Sequence, residues 1–187
     1  MRARLALAIA ATSCLALTTS SHAAAAKPQL TDPKGDSPVA GADIVSAKFT
    51  STFKRVHRVK TPTGFTLTLT LAAAPAKQVW YQIQVAKADC PTFEFEYSTS
   101  SLGGGPAGAR CADGVNTKYE TRVAPAKVSG SRVTWKVPSK ILPVGTTFSS
   151  ITAVAYNFVD VPGVVSAGAP SWDSASAPAS TKYTVGK

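Results

Sequence analysis

The sequence predicts an all-β protein: an antiparallel β-sandwich of jelly-roll-like topology, carrying one disulfide. Three observations predict it. Apolar and polar residues alternate in run after run, as they do where one face of a strand is buried and the other is wet. Turn signals separate the runs, among them Pro33-Lys34-Gly35-Asp36, Pro62-Thr63-Gly64, Ser129-Gly130 and Pro143-Val144-Gly145. No segment after residue 26 keeps a helical period over three turns.

The chain begins differently. Arg2 and Arg4 give a short cationic start, Leu5 to Leu17 is an uncharged apolar run, and a polar break, Thr18 to His22, precedes Ala23 to Ala26. Cationic start, short apolar centre and small residues at a cut site are the three parts of a secretory signal. The apolar run falls short of the ~20 residues that span a bilayer. Ser21-His22-Ala23 fits the small-x-small rule, so residues 1–23 read as a signal peptide, with cleavage as late as residue 26 as the alternative. Residues 24–187 are then expected to form one secreted domain with no transmembrane span. A lipoprotein reading through Cys14 competes, but Ala11-Thr12-Ser13 is a poor lipobox and the apolar run continues past the cysteine.

The strands follow in order. Ile44 to Thr50 places Val45, Ala47 and Phe49 on one side. Phe65 to Leu71 is the clearest alternation, Phe and Leu facing one way and Thr the other. Val79, Tyr81, Ile83 and Val85 alternate with Trp80, Gln82 and Gln84; Phe93, Phe95 and Tyr97 alternate with Glu94, Glu96 and Ser98. Thr117 to Val123 is mostly polar and reads as an edge. Val133, Trp135 and Val137 alternate with Thr134 and Lys136, which places Trp135 in the core. Ser139 to Leu142, between two prolines, has room for one helical turn. Phe148 to Phe158 is apolar on both faces, the mark of a central strand. Residues 166–181, rich in Ser, Ala and Pro, read as a surface loop before a last strand, Tyr183 to Val185. Short strands with turns at this spacing point to a sandwich or jelly roll.

Export changes the inventory. Cys14 leaves with the signal, and two cysteines in an exported chain, Cys90 and Cys111, point to one disulfide. It closes a loop of about 20 residues, worth about 3 kcal/mol in the chain-entropy account. The loop contains Gly103-Gly104-Gly105-Pro106, which has little means of ordering itself. Zinc finds little support, since two cysteines and His57 fall short of four ligands. Of 20 Lys and Arg, 18 remain after Arg2 and Arg4 are removed, against 10 Asp and Glu, a net charge of +8. That balance favours anionic neighbours, or simply solubility, since most charges are scattered singly.

Two charged clusters stand out. The first is acidic: Thr31-Asp32-Pro33-Lys34-Gly35-Asp36-Ser37-Pro38 leads through Gly41-Ala42 to Asp43-Ile44. Three carboxylates on a turn before a strand can serve Ca²⁺, which takes six to eight oxygens, although the spacing is not that of an EF-hand. Equally, Asp and Pro-Gly are ordinary turn residues whose side chains bond nearby backbone N–H groups. The order of this loop, the Asp-Ile at the first strand, the Leu-Thr strand and a late Asp in Ser171-Trp172-Asp173-Ser174 resembles secreted β-sandwich domains of the DOMON and family 9 carbohydrate-binding-module type. The resemblance covers roughly residues 30–186 and rests on order more than on one diagnostic motif. It implies a jelly-roll-like extracellular module, with some members binding sugar or haem and some carrying structural calcium. Carried across, it makes Asp32, Asp36, Asp43 and Asp173 the metal candidates. The chain departs from it in lacking paired exposed tryptophans for a sugar platform and in offering only His57 as an axial haem ligand.

The second cluster is basic. Lys54, Arg55, His57, Arg58 and Lys60 surround Val56 and Val59. On a β-hairpin they form a charged ridge for phosphate or sulfate groups, or a solvated edge protected against strand pairing. No aromatic residues interleave with these charges, which speaks against a nucleic-acid stacking platform. Trp172 is a further ligand-binding candidate as a ring to stack on a sugar, with tucking into the end of the sandwich as the rival reading.

Catalysis finds little support. His57 has no orienting carboxylate beside it, and no Gly-x-Ser-x-Gly elbow or phosphate-cradling Gly-x-x-x-x-Gly-Lys occurs. Glu94 and Glu96 share a strand face at a separation that a glycosidase pair might use, but a wet face explains both. The expectation is a non-enzymatic secreted module that binds a glycan or another anionic cell-envelope component. A structural or protein-interaction domain of the envelope is the alternative, and a carboxylate-dependent hydrolase the third reading.

Overall fold

A computed structural model describes residues 27–99, 109–111, 126–157 and 171–187. The expected signal segment with Cys14, the glycine-rich stretch at 103–105 and the expected strand at 117–123 lie outside them. Among the described residues there are eleven strands and no helix. They are β1 (Leu30–Thr31), β2 (Ile44–Val56), β3 (Val59–Leu71), β4 (Val79–Lys87), β5 (Cys90–Ser98), β6 (Ala109–Cys111), β7 (Lys127–Ser129), β8 (Arg132–Pro138), β9 (Thr147–Asn157), β10 (Ser171–Ser176) and β11 (Tyr183–Thr184).

These strands form two antiparallel sheets. One runs β1-β2-β3-β8-β7; the other runs β10-β9-β4-β5-β6, with β11 also paired to β9. The chain therefore passes between sheets after β3, after β6 and after β8. This is the sandwich that the alternation predicts, with inner faces meeting in a single core. Phe65, Leu67, Leu69 and Leu71 of β3 are all buried, as are Val79, Tyr81, Ile83 and Val85 of β4. Phe49, Phe65, Phe95, Phe148 and Tyr183 form an aromatic cluster with ring centroids 5.2–6.3 Å apart. Trp135 is fully buried on β8, and its indole N–H donates across the core to the backbone oxygen of Glu96 on β5. β9, apolar on both faces, lies between β10 and β4.

The disulfide joins Cys90, at the start of β5, to Cys111, at the end of β6, with Cα atoms 5.9 Å apart. It ties the sheet's outermost short strand to its neighbour.

Several expectations need correction. Val45 does not share a face with Ala47 and Phe49: a register shift between Ile44 and Ser46 turns Ile44 inward, fully buried, and leaves Val45 half-buried. Residues 139–142 form a turn, closed by Ile141 N–H to the Pro138 oxygen at 3.0 Å, rather than a helix. The Ser-Ala-Pro segment is not wholly loop, because β10 runs through it as the edge strand beside β9.

Gly64 sets the shape of the longest hairpin. At φ +141°, a Cβ there would lie 2.1 Å from the Val137 backbone oxygen, so only glycine fits. It sits at a register shift in the β2–β3 pairing, where Thr52 faces Gly64 but Phe53 faces Pro62. Beyond that bulge the β3–β8 pairing ends, Thr63 still accepts the Ser139 N–H at 2.9 Å, and residues 53–62 pair only with each other as strands.

Candidate functional site

Strand β2 has a charged cluster at each end. At its start, the turn before Ile44 brings the acidic loop against β10. β1 pairs with β2, Leu30 opposite Ala47 and Thr31 opposite Ser46, and Asp32 N–H continues the ladder to the Val45 oxygen at 3.0 Å. Asp32 is thus delivered by the edge strand of one sheet. Asp173 is delivered by β10, the edge strand of the other, and its Oδ2 accepts the Ile44 N–H. A register shift between Ser171 and Asp173 places Asp173 and Ala175 on the buried side of β10.

Three carboxylates meet there. Oxygens of Asp32, Asp36 and Asp173 all lie within 4.8 Å of one another. Two ligands on opposite sides of a Ca²⁺ ion, each at about 2.4 Å, are separated by about that distance. Asp43 stands next to them in a different role: its Oδ2 accepts the Gly35 N–H at 2.7 Å and so fixes the turn between Asp32 and Asp36. Its other oxygen, Oδ1, is buried with no hydrogen-bond partner, and so is Asp32 Oδ2. Asp43 as a whole is 2% exposed. No lysine or arginine among the described residues pairs with any of the four.

The electrostatic result is strain. Asp32 is held above the ordinary carboxylate range, first by burial and then by the charges of Asp173, Asp36 and Asp43. Asp173 is raised as well, by burial foremost, although the N–H groups of Ile44 and Ser174 pull the other way. An orphaned buried acceptor costs about 1–3 kcal/mol, more for charged groups. Two such oxygens in one cluster fit a divalent cation.

Residues that the charge pattern did not single out hold the loop in place. Tyr81, on β4, donates its hydroxyl to the Gly41 oxygen at 2.5 Å and accepts the Ala76 N–H at 3.0 Å. Burial raises its phenol far above the usual range. A Cβ on Gly41 would meet the backbone of Ala74 and Ala76 at 2.5 and 2.6 Å, so glycine is required where the two loops touch. The Asp-rich segment is thereby anchored through Gly41 to the second sheet.

At the other end of β2, the basic residues turn the hairpin. Arg55 pairs with Lys60 and Val56 with Val59, while His57 and Arg58 take the two left-handed turn positions at φ 47° and 67°. Such two-residue turns match the twist of the strands they join. Every residue from 54 to 60 is exposed. Lys60 Nζ lies 4.0 Å from the Phe53 ring centroid, which steadies one cation.

Trp172 is not in this group. It lies on β10 beside Asp173, at the acidic end, half-buried and packed against the core. Glu94 and Glu96 do not form a plainly wet face: Glu94 is 5% and Gln82 is 3% exposed. Gln82 Nε2 donates to Glu96 at 2.9 Å, and Gln84 Nε2 donates to Gln82 and Glu94 at 3.0 and 3.3 Å. The amides and carboxylates oppose each other across β4 and β5, Gln82 with Glu96 and Gln84 with Glu94, which explains polar burial on that face.

No family model matches the chain, and no curated protein or solved structure matches it either. Among the described residues, no helix is long and apolar enough to cross a membrane.

Proposed function

We propose that this chain is an exported, non-catalytic β-sandwich module that binds a glycan or other anionic component of the cell envelope through its basic hairpin, with structural Ca²⁺ at its acidic corner. The carrying observation is the exposed tip: Lys54, Arg55, Arg58 and Lys60 stand on a hairpin that extends beyond the sheet, with no carboxylate of the described residues paired to them. Cations so placed serve phosphate, sulfate or carboxylate groups. The sequence resemblance to extracellular binding modules and the signal-like N-terminus support the same reading.

The non-catalytic part rests on the placing of the titratable groups. His57 sits on the tip turn among cations, and Glu94 and Glu96 are engaged by glutamine amides. For the cation, Asp32, Asp36 and Asp173 would be the direct ligands, with Asp43 beside them and backbone oxygens or water completing the shell. Ca²⁺ would neutralise the mutually repelling carboxylates and tie β1 to β10, edge to edge.

The test is retention of the purified protein on immobilised acidic polysaccharide and on cell-wall fractions. Retention at low salt, lost at high salt and lost in the Lys54→Gln/Arg55→Gln/Arg58→Gln/Lys60→Gln variant, is the expected result. No retention of the parent protein on any of these polyanions overturns the reading.

A further inference from the structure

We infer that the ligand of the hairpin tip is the surface of an anionic lipid bilayer, into which Val56 and Val59 insert while the surrounding cations hold the headgroups. This rests on the proposed anion-binding role and narrows it. A soluble polyanion gives no reason for the valines. They are 42% and 64% exposed and directly opposite each other, immediately behind the turn. Among the described residues the other exposed large apolar side chains, Val128 and Val144, lie apart from each other; here two are paired next to the turn of the longest hairpin.

The arrangement around them fits a bilayer interface. His57 and Arg58 form the apex. The register puts Lys54 on the face of Val56 and Val59, and Arg55 with Lys60 on the opposite face. An approach tilted onto the valine face therefore brings Val56 and Val59 to the acyl boundary, while Lys54 on that face and His57 and Arg58 at the apex reach the headgroups. Long cationic side chains keep their stems along apolar surroundings and their charges at the interface. Cations near an anionic leaflet add to one another, and the apolar pair adds a contribution that salt does not screen. Gly64, which admits the bulge where β3 leaves β8, frees the tip to protrude.

The experiment is co-sedimentation with vesicles of phosphatidylcholine alone and of phosphatidylcholine with phosphatidylglycerol, run beside retention on immobilised heparin. Thr keeps the β-branched shape, so Val56→Thr/Val59→Thr preserves the strands while removing the apolar groups. The expected results are binding to phosphatidylglycerol vesicles only, about tenfold weaker vesicle binding by the Thr pair, and unchanged heparin retention by it. A Val59→Trp variant should show blue-shifted emission on those vesicles. Equal vesicle binding by parent and Thr pair, with no shift for Val59→Trp, overturns insertion. So does heparin retention without vesicle binding; both outcomes leave the anion-binding role standing. Absence of binding to vesicles and heparin alike removes that role too.

Discussion

The two ends of β2 are built in opposite ways. The acidic end is partly enclosed: Asp43 and Asp173 are buried and Asp32 is half-buried, while Asp36 is exposed, and the Gly35 and Ile44 N–H groups donate to carboxylates. The basic end is open, with seven consecutive exposed residues, 54–60. Like charges are gathered at both, but at the acidic end burial of Asp43 and Asp173 removes part of the water that would screen them, and at the tip every residue is exposed. The same number of charges is therefore a stability problem at one end and a binding resource at the other.

Three experiments break or sharpen that contrast. The largest effect is expected from Asp173→Ala, which leaves the Ile44 and Ser174 N–H groups without their acceptor; a loss of about 3 kcal/mol in denaturant unfolding follows from hydrogen bonds to a charged group. The four-glutamine tip variant, by contrast, should shift stability by no more than about 0.5 kcal/mol, as exposed substitutions do. Next comes the cation. Ca²⁺ at a hundredfold excess over its dissociation constant should stabilise parent and tip variant alike by about 2.7 kcal/mol relative to chelator; melting curves that coincide with and without Ca²⁺ would remove the ion from the acidic corner.

The smallest is a pH slope. Asp32 and Asp173 are raised from 3.8, so in chelator the folded state holds more protons than the unfolded one between that value and their native ones. Stability should therefore fall as pH rises through that window and level off above it. Ca²⁺ competes with the same protons, so the Ca²⁺-dependent gain in melting temperature should grow as pH rises there. A flat chelator profile would show that the carboxylates do not repel in the native state.

Much of the sandwich could be read from side-chain alternation, because burying one face of a strand leaves a period of two. Strands β3, β4, β5 and β8 carry that mark plainly, and β9 stands out instead as a run apolar on both faces. β10 does not: its inward residues are Asp173 and Ala175 between serines, so the apolar signal shrinks to a single methyl group. The acidic loop announced itself by composition, yet its assembly depended on a contact between residues 44 and 173, 129 positions apart, which no local spacing encodes. Asp173 was reached through family resemblance instead. The separate task of Asp43, holding Gly35 while standing beside the triad, has no sequence signal at all. Gln82 and Glu94 were expected on a wet face; their burial depends on what lies over the sheet and on the amide–carboxylate pairing across two strands, neither of which alternation reports. The basic hairpin was legible because a run of like charges around two valines is contiguous in the chain.

Strand β2 is 13 residues long, so at about 3.3 Å per residue its two ends stand about 40 Å apart. With aspartates at one end and lysines and arginines at the other, the two clusters form an electric dipole directed along β2. Near a negatively charged surface such a molecule experiences a torque that turns the hairpin inward before any contact is made. The effect reaches about 8 Å at physiological ionic strength and further in dilute salt. Ca²⁺ bound at the far end would shrink the negative pole, so an ion about 40 Å from the tip would alter the orientation in which the tip arrives.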